Sequence, residues 1–533
     1  MIPLIRFSLR SQAKFISFIT KRRYSIKKKD KKEEKKDEKR SKQDTNVCSI
    51  TDCVVDPINP EPSVLIIGAG IAGLSAAQRL MQCGITNFTI LEASDRPGGR
   101  IHSCWLGDII AEMGCQYIRG ACCNNPVFNL AAQEGLVKAP ERPEKRKIFY
   151  CTSEGRFIDN TIAMMAYEIF TGIKNEAYRL FNTGSANAHG SLKNFLYLRI
   201  QQELQKFPEE QRYDVSRILY GLTNRIRFFV GDDLECVSAD SIGSLINIPG
   251  GDVSVPFGFV GVLSPLLREL PEGSLMFNKP VRLIEWGGLP LNKSRAVAHC
   301  CDGKKFYADY IIITVSLGVL KEHADKLFLP CLPSSKMQAI KTIGFGNVDK
   351  IFLNYDRPFW VSSNGNFRFA WSQDELANRT DWTKGLSSIE EVDGSKHVLC
   401  AFISGPEAVV MEQASDEEVA FGITKVLRQF TGDPSLPYPS TVLRSKWASD
   451  PYFCGAFSYL TLDSAIDDQN ELSSPVPDTS DPVPPILLFA GEATCVGHHS
   501  TVHGARLSGI REAERIIHLT KQFSGPPPGF LKN

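Results

Sequence analysis

Apolar residues along this chain fall into two kinds of pattern. One is the short unbroken run bounded by glycine or polar residues. Val64-Leu65-Ile66-Ile67, Phe88-Thr89-Ile90-Leu91 and Ile486-Leu487-Leu488-Phe489-Ala490 are of this kind. So are Pro280-Val281-Arg282-Leu283-Ile284, the stretch from Ala308 to Val315, and Lys350-Ile351-Phe352-Leu353. Runs of this length and composition predict buried strands. The other kind recurs every three or four residues. Val215, Ile218, Leu219, Leu222, Ile226 and Phe229 predict one apolar face within a helical region over about 160–235. That face is expected to be core. A last helix is predicted from Gly504 to about Leu519, and Gly525-Pro526-Pro527-Pro528-Gly529 breaks regular structure after it.

The first strand runs into Gly68-Ala69-Gly70-Ile71-Ala72-Gly73, and Glu92 closes the second apolar run about twenty residues on. This is a dinucleotide-binding fingerprint, and each residue type has a reason. Gly68 permits the tight turn, and Gly70 lets the backbone approach a pyrophosphate at the helix N-terminus. Gly73 lets helix and sheet pack closely, while Glu92 can accept hydrogen bonds from ribose hydroxyls. A second close-approach loop follows at Arg96-Pro97-Gly98-Gly99-Arg100-Ile101, with a guanidinium suited to phosphate. The nucleotide-type strands lie at the start, middle and end of the chain, so two interleaved domains are expected.

Charge and composition narrow the class. The 533 residues carry a net +1, but residues 1–46 hold 16 basic and 6 acidic side chains, leaving the remainder acidic. An acidic body suits a small cationic substrate better than nucleic acid. No apolar run reaches the length of a membrane helix. Fifteen cysteines without a repeated spacing, and no C-x-x-C, argue for reduced thiols in an intracellular compartment and against structural zinc. His498, His499 and His503 cluster without an evident carboxylate partner, so no metal is expected. Residues 1–25 contain Arg6, Arg10, Lys14, Lys21, Arg22 and Arg23 and no acid, the pattern of a mitochondrial transit peptide, with cytosol or nucleus as the rival. The Lys/Glu/Asp run from Lys27 to Lys42 predicts a disordered spacer. The C-terminus is not a peroxisomal S-K-L signal.

Over about residues 60–520 the chain resembles the FAD-dependent flavin amine oxidases, and among them the animal polyamine oxidases. The resemblance is carried by Gly68–Gly73, Pro97-Gly98-Gly99-Arg100-Ile101, Gly346-Asn347-Val348-Asp349-Lys350-Ile351 and Pro358-Phe359-Trp360. Gly491-Glu492-Ala493-Thr494, Thr501-Val502-His503-Gly504-Ala505, Ser508-Gly509 and Arg511-Glu512-Ala513 add to it, as does Asn125-Pro126-Val127-Phe128. It implies an α/β fold in which a Rossmann-like FAD-binding domain (60–130, 247–325, 445–520) interleaves with an α+β substrate-binding domain (131–246, 326–444). The tails would be 1–59 and 521–533.

The same resemblance implies non-covalent FAD, because Ala456 stands where monoamine oxidases carry a flavin-linking cysteine. It places Glu92 on the adenosine ribose, Val281 at the adenine, and Ala72, Gly99 and Arg100 near the pyrophosphate and flavin. Gln116 and Tyr117 would lie along the cofactor, and Glu492, Thr501 and Val502 at its isoalloxazine end. Lys350 would be catalytic, holding a water beside the flavin and stabilising negative charge as dioxygen is reduced. Tyr452, Phe457 and Tyr459 would wall the substrate space. Arg119, in Tyr117-Ile118-Arg119-Gly120, replaces a substrate-facing histidine of the animal enzymes. The implied reaction oxidises a polyamine with dioxygen to an aldehyde, a shorter amine and hydrogen peroxide. A monoamine or amino-acid oxidase, or a low-turnover flavin scaffold, are the alternatives.

Overall fold

The computed structural model describes residues 61–524 except 108, 138–147, 184–187, 288–293, 361–364 and 482. The transit-like segment, the charged spacer and the Pro/Gly tail from 525 onward therefore lie outside the described residues. Five parallel strands form the nucleotide-type sheet, in the order Leu487–Phe489, Tyr310–Ile313, Val64–Ile67, Phe88–Leu91, Leu275–Met276. All four residues of Val64–Ile67 are buried, as a central parallel strand requires.

The helix Ile71–Gln82 leaves that strand through the glycine turn. A Cβ on Gly73 would stand 2.1 Å from the Gly68 carbonyl oxygen, so only glycine allows helix and turn this close. The helix Val502–Ser524 returns from the far end of the sequence to lie against it. A Cβ on Gly509 would stand 2.0 Å from the Ala72 carbonyl oxygen, and Arg506 donates to Ser75 Oγ and Gln78 Oε1. Two helices joined by a contact 431 residues apart in sequence are thereby fastened into one layer over the sheet.

The apolar run at 308–315, read as one strand, serves two sheets. Lys305–Ala308 pairs with Ala296–Cys300, and Tyr310–Ile313 pairs with Val64–Ile67. The break falls at Asp309, whose carboxylate accepts from both the backbone N–H and the hydroxyl of Ser63.

A second large sheet has the order Thr441–Arg444, Val348–Asn354, Val398–Ser404, Leu386–Glu391, Phe367–Ala370, Phe149–Thr152. It is antiparallel except for its last pair. Three helices, Asn160–Leu180, Leu192–Leu204 and Glu209–Val230, pack with this sheet in one apolar core. Asp159 and Ser191 cap the first two by accepting from backbone N–H groups of the first turn. The third ends at Gly231, whose φ of 82° favours glycine, and the Gly231 carbonyl accepts from Asn347 N–H. That bond fixes the helix end to the strand that carries Lys350.

Of the predicted helical stripe, Val215, Ile218, Leu219, Leu222 and Ile226 are core. Phe229 is not; it is 49 % exposed. In that last turn Val230 takes the core position, and Phe229 lies on the side of the helix that faces the cavity described below. Among the described residues no helix is long and apolar enough to cross a membrane.

Candidate active site

A single cavity of about 840 Å³ runs from the carboxyl ends of the parallel strands to the face of the antiparallel sheet. Ligands of open parallel sheets bind at such strand ends. At its first end lie Gly68, Gly70, Ala72 and Glu92, with Val281 and Lys279 from a neighbouring strand region. The glycine loop is clamped in place: Gly98 N–H donates to Ala69 O at 2.8 Å, and Gly98 takes a φ of 105°. Glu92 is buried, with one carboxylate oxygen accepting from Ala69 N–H at 2.7 Å and the other from Ser94 N–H and Oγ. A Cβ on Gly70 would meet nothing within 4 Å, so the space beside it is open to a ligand.

Midway, Arg100 Nη1 donates to Glu492 Oε1 at 2.9 Å and to Ala456 O at 2.7 Å. Glu492 is buried, and Arg100 first, then the Ser458 hydroxyl and Ser500 N–H, hold its pKa below the ordinary value against the cost of burial. Gly99, Gln116, Tyr117, Thr501 and Val502 line this part of the cavity.

Lys350 lies on Val348–Asn354 and is buried. Its ammonium donates to Glu112 O at 2.9 Å, Gly114 O at 2.8 Å and Gln116 Oε1 at 3.1 Å. Burial lowers its pKa, and those three acceptors favour the charged form. All three ammonium hydrogens are thus used within the protein. Gln116 is the only one of the three acceptors on a side chain, so a water bound to Lys350 would take that position.

The aromatic lining differs in part from expectation. Tyr452 and Phe457 line the cavity, and Tyr459 does not. The Tyr459 ring lies over Gly344, which has no side chain to exclude it, and its hydroxyl donates to Asp232 Oδ2 at 2.6 Å. It belongs to the core. Phe228, Phe229, Phe402, Trp447 and Phe453 line the cavity instead. Phe228 meets Phe402 edge-on at 5.1 Å, and Trp447 meets Phe453 at 5.1 Å. Trp447 and Phe453 are buried in a small apolar cluster against which Phe228 and Phe402 pack, so this wall of the cavity is also core, and nothing in the sequence marks it as lining. Arg119 is exposed into the cavity with its guanidinium 5.8 Å from the Phe229 ring centroid. His503 also lines it, hydrogen-bonded to His498 at 3.3 Å; burial, with help from His498 and Arg119, pushes its pKa down to about 4.

The family described as flavin containing amine oxidoreductase matches residues 71–517, from the helix that follows the glycine turn, through Lys350, into the last helix. The chain belongs to that family. It is 36 % identical to the peroxisomal N(1)-acetyl-spermine/spermidine oxidase of Homo sapiens, over 88 % of this chain and 97 % of that one. It is 35 % identical to the protein of the same name from Bos taurus, with the same coverage. Among solved structures, putrescine oxidase with bound putrescine superposes with a TM-score of 0.62 at 21 % identity, covering 86 % of this chain and 99 % of that one. That likeness establishes the amine oxidase fold.

The family's cofactor is FAD, and the residues present fit it. The glycine turn leaves open space at Gly70, Glu92 is buried at the strand end, and the cavity continues without interruption to Lys350. Ala456, beside Arg100, offers no nucleophile for a covalent link.

Proposed function

We propose that this flavin-containing amine oxidase oxidises a C–N bond of a polyamine, spermine, spermidine or their N-acetyl forms, with dioxygen. Dioxygen is reduced to hydrogen peroxide, and water hydrolyses the resulting imine to an aldehyde and a shorter amine. One observation carries the reading: a buried ammonium, Lys350, stands where the nucleotide end of one long cavity opens onto an aromatic-walled chamber. The relatives named for spermine/spermidine oxidation agree with it over almost their whole length.

FAD held by these residues would supply the two-electron oxidation of the carbon next to the amine nitrogen and the passage of those electrons to dioxygen. The chain's residues divide the remaining work. Glu92, Gly68, Gly70, Ala72 and Gly73 shape the ADP end, and Val281 covers the adenine. Gly99, Arg100, Gln116, Tyr117, Glu492, Thr501 and Val502 hold the flavin end. Segments 60–130, 247–325 and 445–520 hold the cofactor, and 131–246 and 326–444 build the substrate side. Lys350 keeps a fixed positive charge where negative charge develops. Phe457, Tyr452, Phe402 and Phe228 exclude water and orient the alkyl chain. An ammonium has no lone pair to assist loss of hydride, so a water-poor aromatic wall favours the neutral amine the reaction needs. Residues 1–25 are read as a mitochondrial import signal, which a fluorescent fusion of the full chain tests.

Peroxide release from purified holoenzyme decides the main reading. Turnover of spermine, spermidine or their acetylated forms well above benzylamine supports it. A yellow protein that no polyamine bleaches under anaerobic conditions overturns it.

A further inference from the structure

Beyond Lys350 the cavity follows the face of the antiparallel sheet. Lys350, Phe402, Ser388 and Arg368 face one another in register on four successive strands. At about 4.8 Å per strand, Arg368 stands roughly 14 Å from the Lys350 position. Arg368 is buried and its Nη2 lies 2.7 Å from Glu390 Oε1. Arg225 Nη1 approaches the same oxygen at 3.3 Å. One carboxylate therefore serves two guanidiniums. Burial and the neighbouring Arg225 both pull the Arg368 pKa below its ordinary value.

Arg225 and Phe229 are four residues apart on the helix Glu209–Val230, hence neighbours on one face. Near the Phe229 ring, 5.8 Å from its centroid, lies a third guanidinium, Arg119. Among the described residues Arg119 makes no ion pair. Asp252, directly opposite it across the strand pair, is the acid nearest in register and also lines the cavity. Arg119, Arg225 and Arg368 thus face two carboxylates, Asp252 and Glu390. His503 at this wall is neutral at pH 7.

We infer that the end of the cavity between Arg119 and Arg225 is a subsite for a carboxylate on the substrate, so the preferred amine ends there in an oxyanion and not in a second ammonium. The inference rests on the amine-oxidase reading of the same cavity. A guanidinium presents paired N–H donors that match a carboxylate and stays charged at every working pH. A terminal ammonium would instead lose water beside a surplus cation. The substrate class that fits is a polyamine capped by a dicarboxylic acyl group.

The test uses full-length holoenzyme with spermine, N-acetylspermine and N-succinylspermine. KM and kcat are measured for each, with calorimetric Kd as a readout independent of turnover. The wild type is expected to bind the succinyl compound most tightly. Arg119→Gln and Arg225→Gln should each raise KM and Kd for the succinyl compound about tenfold more than for the acetyl compound. Arg119→Glu should invert the order in favour of spermine. Equal affinity for the three compounds, a wild-type preference for free spermine, or variants that weaken all three alike would overturn the subsite. Absence of turnover with every compound would overturn the oxidase reading, while the calorimetric order would still decide the subsite.

Discussion

The Lys350 ammonium and the Gln116 amide oxygen meet at 3.1 Å, and Gln116 Nε2 in turn lies 3.2 Å from the Tyr117 hydroxyl. The other two acceptors of Lys350 are main-chain carbonyls, which cannot move away without deforming the strand around Glu112. Gln116 is therefore the adjustable member of the set.

Replacing either partner separates charge from positioning. Lys350→Met removes the cation and leaves two buried carbonyls unpaired. Flavin reoxidation by dioxygen, followed by absorbance in stopped flow, is expected to slow by about 10²-fold, with a fall in Tm. Gln116→Ala keeps the cation and frees a position for water. It is expected to keep reoxidation within about fivefold of wild type. Equal losses in the two variants would show that the charge is not the operative feature.

The glycine fingerprint offers a sharper contrast. A Cβ at Gly73 would clash with the Gly68 carbonyl at 2.1 Å, whereas one at Gly70 meets no protein atom within 4 Å. Gly73→Ala is expected to cost several kcal/mol and to give little soluble protein. Gly70→Ala should fold with a near-normal apoprotein Tm yet retain FAD poorly on gel filtration. A Gly70→Ala protein that holds FAD as firmly as wild type would place the cofactor elsewhere.

The fingerprint was legible in the sequence because backbone demands wrote it: a tight turn, a close approach and a packed helix each require glycine. The Lys350 acceptors were not legible, since two are main-chain carbonyls that carry no residue signature. Phe229 shares the spacing of Val215, Ile218 and Ile226, and only the packing of the last turn, where Val230 takes the core position, leaves it to the cavity. Asp309 splits an apolar run through its bonds to Ser63, a contact 246 residues away in sequence.

Tyr459 and Phe457 are two residues apart on one short strand, and only Phe457 lines the cavity. Tyr459→Phe loses the hydrogen bond to Asp232 and is expected to lower stability by about 1 kcal/mol, with kcat and KM unchanged. Phe457→Ala opens the chamber wall and should raise KM severalfold with a smaller change in Tm than other Phe→Ala losses in the core. A Tyr459→Phe variant with altered KM would return that residue to the substrate wall.

Glu112 supplies a pH test beside Lys350. Its carboxylate accepts from Phe259 N–H at 2.6 Å and Ser103 Oγ at 2.7 Å, yet burial outweighs both bonds and the Lys350 charge and pushes its pKa from 4.5 up to about 7. Between those values the folded chain keeps a proton that the unfolded chain has released. Stability contributed by this group therefore falls as pH rises from 4.5 to about 7 and levels off above that. Glu112→Gln cannot titrate, so its stability relative to wild type should rise across the same window, by up to about 3 kcal/mol. Below pH 4.5 both side chains are neutral and the difference should be flat. Melting curves of the two proteins from pH 4 to 8 measure the difference directly, with all other acids common to both. Parallel curves would mean that Glu112 is already ionised in the folded protein at pH 5, and that its bonds to Phe259 and Ser103 outweigh its burial.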